Sequence, residues 1–503
     1  MLKKIVTDIS LLLFSGFLLL LSTPGYDIYI LAYFALTPAF YVFKNGYIKP
    51  VISGLIFGIL FYSFALKWVI TSVSHFGNAP IPIGIAVLLL FSFYLSLYWA
   101  TLAHFIKMKD NILLLSLIFV VLEIIRSILF TGFPWLNLGL TQYNNNLVIG
   151  LASLTGEFGI SLLLVMSNLL FLNFIQSKKF KYILFCIILI SLCHLLGYII
   201  KINDSPIKYA INIGVAQPSY KQETKWIPSQ RYSITKQIKE MIDKAYSYNN
   251  NLVVLPESLF PLFIEEDHDL MDYLINLSYK KPLIFGNIRR EYNNNQKYKY
   301  YNSVFFFDKG SYDVYDKVHL VPFGEYFPFK TLFKPIKYYF FGDSDNFSSG
   351  NKLKIFNIGD IKLGPLICYE GAFSDFALDL VDQHADIIIV VTNDSWFGNG
   401  IGRNQHLAIA VVRAVESGKN IIRASQSGIS AFITPKGNIA KHLDVGQNGI
   451  IEYNVEVSPH ATFFSIFKYL WLVILLLFFF FIFIKKNRKR IVKKWFSNYI
   501  NGN

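Results

Sequence analysis

Near-continuous apolar sequence fills the first 200 residues in seven stretches, and an eighth stands close to the C-terminus. A helix needs about 20 apolar residues to cross a bilayer, and only segments that satisfy their own backbone hydrogen bonds persist in hydrocarbon. The stretches run over 5–22, 28–43, 51–73, 79–105, 111–130, 150–175, 180–200 and 463–484. This predicts a polytopic α-helical membrane domain of about eight spans. The first two stretches are short and close together, and a re-entrant pair is the other reading of them. The chain divides into an N-terminal membrane domain (1–203), a globular domain (204–460), and a last span with a basic tail (461–503). "STPGYD" after the first stretch is a poor cleavage site, so that stretch reads as a retained helix.

The connecting loops orient the spans. Lys3 and Lys4 precede the first, Lys44 and Lys49 follow the second, Lys107 and Lys109 the fourth, and Lys178, Lys179 and Lys181 the sixth. The tail "KKNRKRIVKK" follows the last, while the alternate loops "STPGYD", "TSVSHFGNAPIP" and "TGFPWLNLGLTQYNNN" carry no Lys or Arg. Basic loops stay cytoplasmic. Both termini are therefore expected in the cytoplasm and residues 204–460 on the opposite face, the periplasm of a two-membrane bacterium. The same reading accounts for much of the net charge of +14. No reader motif accompanies that charge, which argues against nucleic-acid binding.

Polar groups within the spans are few. Glu123 and Arg126 stand three apart and are expected to pair on one helix face. Glu157 is expected near the outer surface, facing the globular domain, and Lys468 at the outer end of the last span, snorkelling. The chain has three cysteines. Cys186 and Cys193 lie in the seventh span. Cys368 stands in the globular domain without a disulfide partner, and a free thiol in an oxidising compartment asks for a reason.

The globular domain alternates strand and helix patterns. Strands are expected at "INIGVAQP", "NLVVLPES", "PLIFGNI", "YNSVFFF", "LGPLICYE", "DIIIVVTND", "NIIRASQSGISAFIT" and "GIIEYNVEV", and helices over 228–247, 266–279, 373–383 and 403–417. This is an α/β layered domain, in which chemistry collects at strand ends. "VVLPES" ends in Glu257 and "LICYE" in Cys368 and Glu370, while "VYDKVHLVPFGEY" carries Lys317 and, eight residues on, Glu325. Taken singly, each is ordinary: carboxylates at strand ends are usually solvated, and a buried core Cys is common. Together they offer a nucleophile, a base and a cation, the set that acyl transfer through a thiol requires. No clustered His/Cys ligand set suggests a metal, and no dissociable cofactor is implied.

"LPES", "DKVHLVPFGEY" and "ICYEG" resemble the three blocks of the nitrilase (carbon–nitrogen hydrolase) superfamily, which uses a Glu–Lys–Cys triad. "TNDSWFG" and "QHLAIAVVRAVESGKNIIRASQSGISAFI", with "GFPWLNLGLTQ" and "LTGEFGIS" in the membrane part, resemble the apolipoprotein N-acyltransferase family over essentially the whole chain. The resemblance implies an αββα sandwich and a ping-pong acyl transfer at the inner membrane. The donor would be a membrane phospholipid such as phosphatidylethanolamine, the carrier a thioester on Cys368, and the acceptor the α-amine of a diacylglyceryl-Cys apolipoprotein. It casts Glu257 as base, Cys368 as nucleophile, and Lys317 as the cation that lowers the thiol pKa and, with the Tyr369 backbone N–H, holds the oxyanion. Glu325 and Glu370 are expected to orient the Lys and the Glu. Asn302, Tyr369 and Trp226 are implied near the site, and the family implies a monomer. Trp226 also reads as a packing or interfacial anchor. "NDSWFG" is expected at the pocket edge, Arg413 and Glu416 as a structural ion pair, and 330–350 as a mobile arm.

Two other readings compete. An amidase would use the same triad with water as acceptor, and the triad alone does not decide. A transporter with a periplasmic binding domain would show polar-lined spans or repeated halves, and the sequence has neither.

Overall fold

The computed structural model describes residues 1–203, 206–220, 222–292, 298–328, 346–459 and 461–481. The expected mobile arm at 330–350 lies mostly outside these residues.

The membrane half contains α1 (Leu2–Ser22), α2 (Thr37–Asn45), α3 (Pro50–Ala65), the single-turn α4 (Trp68–Thr71), α5 (Ile81–Met108), α6 (Ile112–Ile128), α7 (Ala152–Ser177) and α8 (Phe180–Ile202). Among the described residues five helices are long and apolar enough to span a bilayer, or six if the α3–α4 pair, bent by 58°, counts as one. The expected count of eight is not confirmed among them, and residues 482–484 of the last stretch lie outside the described residues. The stretch 28–43 is the clearest departure. It forms a 3-10 turn at Tyr29–Tyr33 and the nine-residue α2, about 14 Å of helix against a hydrocarbon core of about 30 Å. Pro38, at the start of α2, prevents one continuous helix, because proline donates no backbone hydrogen bond. The half-helix instead fills the bundle: Ala39, Phe40 and Phe43 are fully buried. The last stretch is also interrupted, since Lys468 at φ 45° separates Phe463–Phe467 from Leu470–Phe481.

The loops expected on one face do meet. Lys44 Nζ donates to the carbonyls of Ile106 (3.1 Å) and Lys109 (3.0 Å), and Asp8 accepts from the backbone N–H of Tyr47 at 2.7 Å.

Among the described residues the globular half is two six-stranded sheets packed face to face. One has the order β12-β1-β2-β3-β4-β5 and the other β11-β10-β9-β8-β7-β6. In the first, β1 is Tyr209–Gln217, β2 Leu252–Val254, β3 Leu283–Tyr292, β4 Tyr298–Asp308, β5 Ser311–Asp316 and β12 Gly449–Val457. In the second, β6 is Phe356–Ile358, β7 Ile361–Ile367, β8 Ile387–Asn393, β9 Asn420–Gln426, β10 Ser430–Ile433 and β11 Ile439–Leu443. Strands β1–β3 run parallel, as do β7–β9. Every residue of β8 and β9 is buried, as continuous apolar runs require when both faces are covered.

Val215, Val254 and Val304 meet Ile367, Ile389 and Val391 between the sheets. After the single-turn α9 (Gln222–Lys225), α10 (Arg231–Ser247) and α11 (His268–Ser278) cover the first sheet. On the second lie α12 (Ser374–Asp382) and α13 (Gly402–Ser417). The result is the expected αββα sandwich.

Candidate functional site

Three strand ends converge where the two sheets face each other. Glu257 lies just beyond β2 and is 6% exposed. Its Oε1 accepts from Asn302 Nδ2 at 2.6 Å and its Oε2 from the backbone N–H of Asn393 at 2.7 Å. Gly286 on β3 permits this packing, because a Cβ there would lie 2.6 Å from the Glu257 Cα. Lys317 follows β5 and is 1% exposed, and its Nζ meets the Glu325 oxygens at 2.9 and 2.8 Å. Asn302 Nδ2 also donates to Glu325 at 2.8 Å. One amide therefore ties both carboxylates together. Cys368 caps β7 at φ 49°, a left-handed conformation that costs a non-glycine residue about 1–3 kcal/mol and is held in place by its surroundings.

Glu370 supplies much of that hold. Its Oε1 accepts from Tyr315 Oη (2.8 Å) and from the N–H groups of Val318 (2.7 Å) and His319 (3.0 Å), and its Oε2 from the Ile367 N–H (2.8 Å). These bonds fix the backbone beside Lys317 and beside Cys368. The expectation that Glu370 orients the Lys or Glu side chain is corrected: among the described residues it holds main chain and the Tyr315 hydroxyl, and Glu325 holds the lysine.

Electrostatics separate the roles. Burial, helped by the charge of Glu257, pushes the Cys368 thiol up to about 12 against the pull of Lys317. The expected lowering by Lys317 is outweighed, so the resting thiol carries its proton. Burial likewise raises the Glu257 carboxyl, opposed by Lys317, which strengthens it as a base. Burial alone would lower Lys317, but Glu325, Cys368 and Glu257 raise it above its ordinary value, so it stays an ammonium.

The remaining expected residues are scattered. Tyr369 donates its hydroxyl to the Gly132 carbonyl of the membrane half at 2.7 Å. Trp226 is 46% exposed, beside Lys225, whose Nζ lies 5.5 Å from the ring centroid. In "NDSWFG", Phe397 is buried against Trp68 at 4.7 Å between ring centroids, while the half-exposed Trp396 meets Phe76 at 5.1 Å. Arg413 and Glu416 pair at 3.2 Å, and Arg413 also meets Glu157 at 2.9 Å. Glu157 thus faces the globular half as expected. Glu123 and Arg126 form no ion pair among the described residues. Glu123 accepts from the Leu138 N–H at 2.7 Å, and Arg126 donates to Tyr62 and Asn137.

Several neighbours escaped the sequence reading. The Asn393 N–H on Glu257 needs a strand from the opposite sheet, which no local pattern reveals. Asp394, His406 and Arg423 form a buried cluster beside that strand, with His406 Nδ1 3.0 Å from Asp394. Lys225 is wholly buried, and among the described residues its Nζ has no hydrogen-bond partner. Among the described residues no group of three or more His, Cys, Asp or Glu side chains is arranged to hold a metal.

A two-sheet carbon–nitrogen hydrolase domain set on a helical membrane domain defines the class. The family described as Apolipoprotein N-acyltransferase N-terminal domain matches residues 15–170, and Carbon-nitrogen hydrolase matches 213–459. The apolipoprotein N-acyltransferase of Aquifex aeolicus (strain VF5) is 30% identical over 449 residues, 88% of this chain and 97% of that protein. That of Pasteurella multocida (strain Pm70) is 29% identical over 493 residues, 92% of each chain. A solved amidase from Nesterenkonia sp. aligns over 49% of this chain and 90% of its own, at 16% identity and a TM-score of 0.36. The chain belongs to the apolipoprotein N-acyltransferase family. It is a membrane acyltransferase of lipoprotein N-acylation.

Proposed function

We propose that Glu257, Lys317 and Cys368 carry out this acylation by a ping-pong cycle at the periplasmic face of the inner membrane. The observation that carries the reading is the single Asn302 amide joining Glu257 to the Glu325–Lys317 pair beside Cys368. Glu257 removes the thiol proton as the sulfur attacks an ester carbonyl of a phospholipid such as phosphatidylethanolamine. Lys317, held as an ammonium, faces the developing oxyanion together with the Tyr369 N–H. Glu257 returns the proton to the leaving lysophospholipid, and a thioester remains on Cys368. The α-amine of a diacylglyceryl-Cys apolipoprotein then attacks that thioester, giving the amide and the free thiol. Trp226, half-exposed, suits contact with a lipid. The enzyme works as a monomer, its N- and C-termini cytoplasmic.

A raised thiol pKa favours this order of events. A persistent thiolate would be exposed to oxidants, whereas here it forms only as Glu257 takes the proton. A site facing the bilayer also spares extraction of an acyl chain, which costs about 0.8 kcal/mol per CH₂. An amidase reading would need water as acceptor and gives the membrane half no part.

The test is intact mass after incubation with phosphatidylethanolamine vesicles. Wild type should gain one hydroxylamine-labile acyl mass and Cys368→Ala none. Absence of the adduct on correctly folded wild type would overturn the mechanism.

A further inference from the structure

The proton count of the second half-reaction leaves one proton unassigned, and the structure holds a buried amine on a turn tied to the site, without a hydrogen bond among the described residues. An α-amine in water has a pKa of about 7.7–8.0, so the acceptor arrives mostly as an ammonium. Forming the amide removes two protons from that nitrogen. Glu257 passes one of them to the departing Cys368 sulfur. The other needs a second acceptor.

Lys225 is placed to take it. It ends α9, with 0% exposure and an Nζ that makes no hydrogen bond among the described residues. Burying an ammonium without a partner is costly, and such a group sheds its proton instead. The Tyr220 and Trp226 ring centroids lie 5.6 and 5.5 Å from the Nζ. Glu257 is the carboxylate whose charge reaches it, and burial, opposed by Glu257, brings the amine down to about 7. On its own helix Glu223 is engaged by His75 at 2.7 Å, and beyond Glu257 stands Lys317 with Glu325. The turn is tied to the site as well: Gln222 Oε1 accepts from Asn393 Nδ2 at 3.0 Å, and Asn393 is the residue whose N–H holds Glu257. Lys317 cannot do this work, because Glu325 keeps it charged.

We propose that Lys225, a buried amine on the turn that Gln222 ties to the Asn393–Glu257 contact, accepts the extra proton of the incoming α-ammonium in the second half-reaction. The ammonium gives one proton to the Lys225 Nζ and becomes a nucleophilic amine. Its lone pair forms the C–N bond at the thioester carbonyl. The second N–H proton goes to the Glu257 carboxylate. The C–S bond breaks, and Glu257 protonates the sulfur. Lys225 then releases its proton to water. Thioester formation asks nothing of Lys225, so the two half-reactions separate its role from a structural one.

This inference rests on the acyl-enzyme reading. The experiment uses the full chain with phosphatidylethanolamine vesicles and a synthetic diacylglyceryl-Cys peptide. Thioester loading and its single-turnover discharge are each followed by intact mass from pH 6.5 to 9. Lys225→Met and Lys225→Arg should load at rates within about threefold of wild type. Discharge by the peptide should fall roughly tenfold or more at pH 6.5, where few α-amines are free, and recover towards pH 9 as the peptide deprotonates itself. Arg serves as the second variant because it stays protonated and so has no site to accept a proton. Discharge equal to wild type at every pH overturns the proposal. So does a parallel loss of loading and discharge in both variants, which marks a structural role. Wild type that never loads overturns the acyl-enzyme reading itself.

Discussion

Asn302→Asp is the smallest change that strikes the centre of the site. The substitution is isosteric, so packing is preserved. Both protons of the Asn302 amide are in use, at 2.6 Å to Glu257 and 2.8 Å to Glu325. Each is a hydrogen bond to a charged group, of about 1.5–3 kcal/mol. Aspartate removes both donors and sets a third carboxylate beside the pair, with Lys317 the cation they share. The loss of about 3–6 kcal/mol corresponds to roughly 10²–10⁴-fold in the rate of thioester formation. The sign of the pH effect also follows. Glu257 loses a bond that lowers its pKa and gains a like charge, so its already raised pKa climbs further. Glu257 acts only when ionised, so the rising limb of the pH–rate profile should move to higher pH. The assay is the rate of acyl-thioester appearance on Cys368 by intact mass, with thermal unfolding in parallel to confirm the fold. Thioester formation within tenfold of wild type at pH 7, with an unshifted profile, would refute the claim that this amide holds the base in its working state.

Further consequences follow from the buried contacts. Glu370→Gln puts an NH₂ where the carboxylate accepts either from Ile367 or from the Tyr315–Val318–His319 set. It should cost about 1–3 kcal/mol in thermal unfolding and slow loading, since the strand end that carries Cys368 loosens. Arg413→Met strands Glu157 and Glu416 without their cation and should destabilise by about 3–5 kcal/mol, while adding Glu157→Gln to it should recover part of the loss. Asp394 is held below the usual carboxylate range by Arg423 and His406 despite burial. Its contribution is complete above the unfolded value of about 3.9 and fades as pH falls towards the folded one. The Tm gap between Asp394→Asn and wild type should therefore narrow below pH 4.

How much of this was legible in the sequence varies by element. Apolar runs such as "DIIIVVTND" gave their strands directly, because a fully covered strand has no polar face to confuse the pattern. The strands β5, β6 and β11 carry no legible strand pattern. In β5 and β11 exposed and part-buried residues predominate, and β6 is three residues long, so none carries a sustained apolar signal. The stretch 28–43 misled for the opposite reason: it is apolar enough for a span, and its proline stops the helix. Glu257, Lys317, Glu325 and Cys368 stood out as reactive groups at strand ends. The Asn393 N–H could not, because a backbone donor has no sequence signature and reaches Glu257 from the other sheet. Lys225, beside Trp226, carries no such signal, since a lysine in a polar stretch reads as solvated until its burial is seen.

The placement of α13 explains why the two halves act as one device. Near its start Gln405 accepts from the indoles of Trp68 (3.1 Å) and Trp135 (2.8 Å) and donates to the Ala65 carbonyl (3.0 Å). Near its end Arg413 and Glu416 grip Glu157, whose N–H donates to Glu416 at 2.8 Å. That N–H follows the break in α7 at Gly156, φ 64°, where any Cβ would strike the Phe464 ring. Gln405 and Glu416 are eleven residues apart, about 16 Å along a helix. Two anchors at that separation resist both sliding and tilting of the sandwich on the bundle. Tyr369, next to the nucleophile, adds a third tie through Gly132. A site that draws its acyl chain from lipid needs its sulfur at a constant depth relative to the bilayer. A hinged domain would have to pay that alignment as entropy in every turnover, whereas these buried anchors settle it once, on folding.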